Sequence, residues 1–270
     1  MESPQHTLRE PWTFEGVGLH TGAHGAVRLV PQPPNSGIVM RLDGDLTFPA
    51  VAEYVVDTRR AMVLGVEGGR VSTVEHLLSA LTGMEVDNVL IEVRGPEIPI
   101  ADGSAKVFVE GIERVGRAAQ GAARREWTVD GPHVFREDDA LLVLLPAERW
   151  RVRFAADFPP PVGAQYLDAA VEPRTYREDI ASARTFGYLA EVEALRAAGL
   201  ALGGTLENAV VFGEEGPLSP LRQANEVVAH KFLDLVGDFA LLGARPRFEV
   251  VAHKSGHRLH ARAARELRAA

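Results

Sequence analysis

Three short stretches of this chain hold most of the side chains able to do chemistry. His230-Lys231-Phe232-Leu233-Asp234 sets a nitrogen donor and an oxygen donor four residues apart. On a helix those positions share a face, about 5–6 Å apart, so the two can grip one ion together. The pairing of imidazole with carboxylate suits zinc. Asp238 continues the stripe one turn further, while Phe232, Leu235, Val236 and Phe239 fall on other faces. A plain His-Asp ion pair on a helix surface has the same spacing, so a third ligand must come from elsewhere. Glu75-His76 is the natural supplier, because a histidine ligand beside a carboxylate puts a metal ligand and a general base in one place. Ser72-Thr73-Val74-Glu75 also has the form of a capping box, in which Glu75 serves the helix start. The two roles coexist if that helix start lines the site. Ser255-Gly256-His257 puts a further histidine at a helix start, where a solvated surface histidine is the plainer reading. The glycine pair in Leu202-Gly203-Gly204-Thr205 lets a backbone approach a ligand closely. It is not a phosphate loop, since no Gly-Lys-Ser/Thr follows. No local serine nucleophile motif is present, and the chain has no cysteine.

These side chains need elements to hold them. Gly25–Val30, Gly37–Leu42 and Asn88–Val93 read as strands. Ser72–Gly83 reads as a helix with a Leu77, Leu78 and Leu81 stripe and Gly83 as its stop. Ser104–Val115 reads as a second helix. In the other half, Arg125–Val129, Ala140–Leu145 and Arg247–Ala252 read as strands. Tyr176–Arg184, Glu191–Ala198, Ala224–Leu242 and Gly256 onward read as helices. The halves echo each other: Gly83 lies seven residues after His76, and Gly237 seven after His230. Strand 89–93 answers strand 248–252, and Gly103 answers Gly256. The pattern predicts an α+β protein of two domains of like topology, each a sheet with two helices on one face, with the site between them. The stretch Ala118–Ala123 has little to pack with, which places the boundary there: an N-terminal domain 1–120 and a C-terminal domain 121–270.

Composition sets the outer limits. The 270 residues correspond to roughly 1.8 domains at about 150 residues each. An apolar share of 46% and a charged share of 24% suit a chain that buries a core. No apolar run reaches the length of a membrane span, and the first residues carry neither the basic nor the apolar region of a secretory signal. The absence of cysteine fits a reducing compartment, so a cytoplasmic location is expected. A net charge of −8 argues against a nucleic-acid partner. Only Lys106, Lys231 and Lys254 are lysines, and two of them follow histidines.

Taken together, the motifs resemble the UDP-3-O-acyl-N-acetylglucosamine deacetylase family, the zinc amidases of lipid A synthesis. The blocks that carry the resemblance are Gly16–Gly22, Ser72–Leu77, Pro96–Ser104, Ala183–Gly187, Leu202–Thr205, His230–Asp234 with Gly237-Asp238, and Lys254–His257. Seven blocks occur in the family's order, almost end to end. The resemblance implies zinc on His76, His230 and Asp234, and Glu75 as the base that takes a proton from the water zinc activates. It implies His257 as the acid, oriented by Asp238, and Thr185 at the oxyanion. It gives Lys231 a substrate contact and puts Phe186 near the sugar and nucleotide. Tyr188, Leu202 and Gly204 belong to the same substrate region, and the segment 188–202 matches an insert that forms a passage for the acyl chain. At Asn225 and Ala229 the family commonly carries Asp and Arg, four apart. An exposed pair of that kind is worth only about 0–1 kcal/mol.

The implied substrate sets physical demands. Its diphosphate needs cations, which Lys231 with Lys254 or nearby arginines can supply. Its acyl chain needs an apolar groove, worth at most about 0.8 kcal/mol per methylene. The leucine- and alanine-rich segment Leu189–Leu202 fits such a groove, and it also fits an amphipathic helix packed on its own domain. The expected reaction removes the N-acetyl group from UDP-3-O-(3-hydroxyacyl)-N-acetylglucosamine and releases acetate, with no obligate protein partner. The alternatives are a zinc hydrolase of another acyl amide and a non-catalytic binding protein of the same fold.

Overall fold

The computed structural model describes residues 3–43 and 45–270. Two sheets of identical topology carry the chain. The first holds β1 (Trp12–Val17), β2 (His24–Pro31), β3 (Ile38–Arg41), β4 (Thr47–Pro49) and β5 (Val89–Arg94), in the order β1-β2-β5-β3-β4. The second holds β6 (His133–Glu137), β7 (Ala140–Pro146), β8 (Arg151–Phe158), β9 (Gly163–Ala170) and β10 (Phe248–His253), in the order β6-β7-β10-β8-β9. In each sheet the last strand enters the middle, antiparallel to the second strand and parallel to the third. The expected duplication is therefore present in topology as well as in residue spacing.

Alternation explains which face of each sheet is buried. Leu29, Ile91 and Met40 lie side by side in register and are fully buried, as are Leu144, Val250 and Val152. The neighbouring row points outward and is charged: Glu92 pairs with both Arg28 and Arg41, and Arg153 pairs with Glu249. This is the pattern of a sheet with one wet face.

The helices are α1 (Glu75–Gly83), α2 (Lys106–Val115), α3 (Leu189–Ala197), α4 (Glu226–Phe239) and α5 (His257–Ala269). α1 and α4 pack against each other. In α4 every residue except Lys231 is buried, and in α1 every residue except Thr82. Their apolar side chains join one continuous core that runs through both halves, and the polar side chains buried with them include those of the site. Within it Ser79 Oγ donates to the Leu233 carbonyl, and Tyr176 Oη donates to Ser79 Oγ.

Several local expectations change. Gly83 is the last residue of α1 rather than its stop, and its role is space: a Cβ there would run into the ring of Tyr176. Gly237 does the same for the helix pair, since a Cβ would collide with the Glu75 carbonyl. The 118–123 stretch does find a partner. Residues Arg117–Ala123 form a strand antiparallel to Pro4–Leu8. The expected helix 176–184 is a turn at Pro173–Thr175 running into a five-residue π segment, Tyr176–Ile180. Each unit also carries an insert between its fourth strand and its first long helix. The first insert is a three-stranded sheet, Val55–Asp57, Val63–Val66 and Gly69–Val71. The second contains α3 and the parallel pair Phe186–Tyr188 with Val210–Phe212.

Candidate metal centre

The close approach at Gly237 sets the N-terminal turn of α1 against the C-terminal half of α4. That crossing brings His76 to within reach of His230 and Asp234. One ligand atom from each lies within 4.8 Å of the others, and all three residues are buried. His230 Nε2 is 3.4 Å and His76 Nε2 3.8 Å from the same oxygen, Asp234 Oδ1. The imidazole planes are nearly perpendicular, at 88°. None of these atoms hydrogen-bonds to another. They converge, as donors around a cation do.

The chemistry of the donors fits zinc. Burial, foremost, pushes His76 down to about 3. Burial also lowers His230. Both rings are thus neutral, with a lone pair to offer. Burial opposes ionisation of Asp234, but the cationic groups around it, Lys231 first, outweigh it and hold the carboxyl well below its usual range. Lys231 Nζ donates to Asp234 Oδ2 at 2.7 Å, which leaves Oδ1 as the ligand atom. His230 Nδ1 lies 3.0 Å from the Ala183 carbonyl, the partner that fixes a ligating ring's tautomer. His76 Nδ1 is buried with no such partner.

Around these ligands the charged groups are tightly placed. Glu75 is 3% exposed, and its Oε2 accepts the Met62 N–H at 3.0 Å. The capping box does not form: Val74 is the residue before α1, and no side chain caps the helix start. Glu75 Oε1 instead faces His257 Nε2 at 3.8 Å. Burial pushes Glu75 up to about 8, and a divalent cation beside it acts in the opposite direction. His257, the first residue of α5, has its Nδ1 2.8 Å from Asp238 Oδ2. Burial opposes its charge, but Asp238 prevails and raises it to about 9.

The remaining residues singled out in the sequence fall into two groups. Phe186 lies edge-on to His230 at 6.1 Å and to Phe158 at 5.6 Å. Thr185 shares that strand edge, its backbone bonded to Gly103 and Val210. Tyr188 tilts over Phe212 and donates its hydroxyl to the Pro159 carbonyl. Leu202 is 53% exposed. Its N–H and that of Gly203 bond the carbonyls of His20 and Leu19. Gly203 is thus required by another backbone, since a Cβ would overlap the Gly18 carbonyl. Gly204 closes the same turn onto Ala201. Lys254 stands apart, paired at 2.9 Å with exposed Asp139 of the β6–β7 turn. Ala229 is fully buried, so its position could not carry one end of an exposed pair with residue 225.

Three supports were not evident from sequence. Buried Glu97 accepts bonds from the backbones of His20 and Thr21 and from the hydroxyls of Thr21 and Thr73. It thereby holds Thr73 at φ 59°, a strained value for a β-branched residue, just before Glu75. Buried Arg184 grips Glu226 at the start of α4 and the Pro220 carbonyl, anchoring Thr185 and Phe186. His260 and Ser255 lie behind Asp238. Glu97 and Arg184 sat inside recognisable blocks, but their partners are distant in sequence, and only the fold joins them.

Comparison with known proteins agrees with this geometry. Residues 5–269 match the family described as LpxC, UDP-3-O-acyl N-acetylglycosamine deacetylase. The chain belongs to that family. Among its relatives, the UDP-3-O-acyl-N-acetylglucosamine deacetylase of Syntrophotalea carbinolica is 44% identical, over 94% of this chain and 84% of its own length. That of Nostoc is 42% identical, over 97% of this chain and 98% of its own, and that of Myxococcus xanthus 42%, over 97% and 86%. The chain is a deacetylase of lipid A biosynthesis, and His76, His230 and Asp234 form its zinc site. No helix among the described residues is long and apolar enough to cross a membrane.

Proposed function

We propose that deacetylation of UDP-3-O-(3-hydroxyacyl)-N-acetylglucosamine is divided among the residues of this site as follows. His76, His230 and Asp234 hold zinc, which when bound acidifies a water and polarises the acetamide carbonyl. Glu75 accepts the proton of the attacking water, with Oε1 facing the site and Oε2 tied to the Met62 N–H. His257 protonates the leaving amine. Asp238 keeps its Nδ1 occupied, so Nε2 is the nitrogen directed at the reacting groups. Thr185 stands at the oxyanion, where one well-placed donor is worth about 3–4 kcal/mol.

Lys231 serves the substrate from its seat beside Asp234. An ammonium has three donors, and only one is taken there. Phe186 and Tyr188 border the sugar and nucleotide. Lys254, paired with Asp139, is the weakest contributor to the diphosphate. The acyl chain runs along the segment 188–202 with Leu202 and Gly204. No residue of α3 is buried and Leu189 is 51% exposed, which speaks against a helix packed only on its own domain. The repeated topology supports two domains, 1–120 and 121–270, with the boundary at the strand 117–123 that pairs with 4–8. A cytoplasmic setting suits a cysteine-free chain acting on a nucleotide sugar.

The observation that carries this reading is the pairing of a buried two-histidine, one-aspartate cluster with Glu75 and His257, 3.8 Å apart, beside it. The test is acetate release from that substrate by the purified protein. Activity should vanish with a chelator and return with zinc. Release that is indifferent to metal would reject the assignment.

A further inference from the structure

The division of roles above leaves one buried polar pair unused. His260 is fully buried on α5, on a face otherwise made of Leu259, Ala261, Ala263, Ala264 and Leu267. A leucine would suit that face. An imidazole there loses its water and must find partners within the protein, and it finds two. His260 Nδ1 lies 2.7 Å from Asp238 Oδ2, and His260 Nε2 lies 2.7 Å from Ser255 Oγ. Ser255 is 3% exposed and Asp238 fully buried.

The direction of each bond follows from chemistry. An ionised carboxylate only accepts, so His260 Nδ1 carries the proton and donates to Asp238. The other nitrogen of a neutral ring then accepts, and Ser255 Oγ–H donates to it. Asp238 therefore sets the tautomer of His260, and Ser255 completes it by donating to Nε2. Asp238 in turn holds two rings. Oδ2 receives His260 Nδ1 and His257 Nδ1, with His257 Nδ1 also 3.1 Å from Oδ1. His257 and His260 are three apart on α5, so both reach one carboxylate on α4.

We infer that His260, locked by Ser255, is a positioning residue that fixes the Asp238 carboxylate so that Asp238 can hold the His257 ring in its working orientation. The inference rests on the proposed role of His257 and deepens it. A carboxylate turns about its last torsion in a broad well. A single anchor from His257 would leave the two groups free to swing together. A second donor, His260 Nδ1 on Oδ2, removes that freedom. Displacing a reacting group by 1 Å costs on the order of 100-fold in rate, so the constraint matters for turnover and much less for substrate affinity.

The test uses zinc-loaded enzyme and five variants, reading kcat, KM, Tm and the His257 Nδ1–H resonance in protein labelled with 15N-histidine. In His260→Asn the side-chain amide nitrogen takes the place of Nδ1 and keeps the donor. In His260→Gln the amide reaches the position of Nε2 instead, and His260→Leu has no donor. His260→Leu and His260→Gln should lose about 10-fold or more in kcat with KM unchanged and the resonance moved, while His260→Asn recovers most of the rate. Ser255→Ala should fall between. If Leu fails to fold, Asn against Gln decides. Equal kcat for Asn and Gln, or wild-type kcat for either Leu or Gln, would overturn the inference. Wild-type kcat in Asp238→Asn would instead overturn the underlying role of Asp238 and His257.

Discussion

At the scale of single residues, the carboxylate and the imidazole beside the zinc ligands meet opposite electrostatic demands. Glu75 must be ionised to accept a proton, and His257 must be charged to give one. Glu75→Gln keeps the shape, and its amide oxygen can still accept the Met62 N–H. That variant is expected to fold, bind zinc and release almost no acetate. Wild-type turnover would leave Glu75 a structural role only. The pH profile carries the same logic. Asp238 raises His257, so the ring stays protonated past neutral pH and kcat falls on the alkaline side as it loses that proton. Glu75 must lose its proton, so kcat also falls on the acid side. The profile is a bell. Asp238→Asn removes the charge that raises His257, so its alkaline limb should move to lower pH; an unmoved limb would assign it to another group.

At the scale of elements, the centre depends on one helix crossing and one buried ion pair. Gly237 lets α4 touch the Glu75 backbone. Gly237→Ala should cost about 1–3 kcal/mol of stability through overpacking and spread the ligands, read together as a lower Tm and weaker zinc retention. Unchanged values would mean the crossing has slack. Arg184 and Glu226 are 8% and 1% exposed. Glu226→Ala strands the guanidinium, and a loss of about 3–5 kcal/mol is expected on denaturant unfolding. In α3 the readout is substrate dependence. Leucine-to-tryptophan changes from Leu189 to Leu202 should lower kcat/KM for a long acyl chain and spare a short one. Equal losses on both would end the groove assignment.

At the scale of the whole molecule, zinc binding joins the two units, because His76 comes from α1 and His230 and Asp234 come from α4. Much of this was legible in sequence, for a physical reason. An i,i+4 ligand pair is local, and the Glu-His dipeptide more so. The apolar residues of both central helices also recur at helical spacing around the ligand stripe, and the repeat showed in the spacing of its glycines. What could not be read was contact between distant segments. The Glu97 hub, the Arg184–Glu226 pair and the Ser255–His260 latch each need the folded chain to bring their partners together. The capping box misled because its short-range form was complete, whereas Glu75 is claimed by the Met62 backbone thirteen residues earlier. The same-sized signal at 118–123 read as a bare linker because its partner strand lies at the other end of the first unit.

The most direct test is the zinc content of the purified chain beside that of a variant with His76, His230 and Asp234 all changed to alanine. The account predicts one tightly held zinc per chain in the natural protein and none in the variant, with acetate release lost in parallel. Near-stoichiometric, tightly held zinc in the triple variant would contradict it.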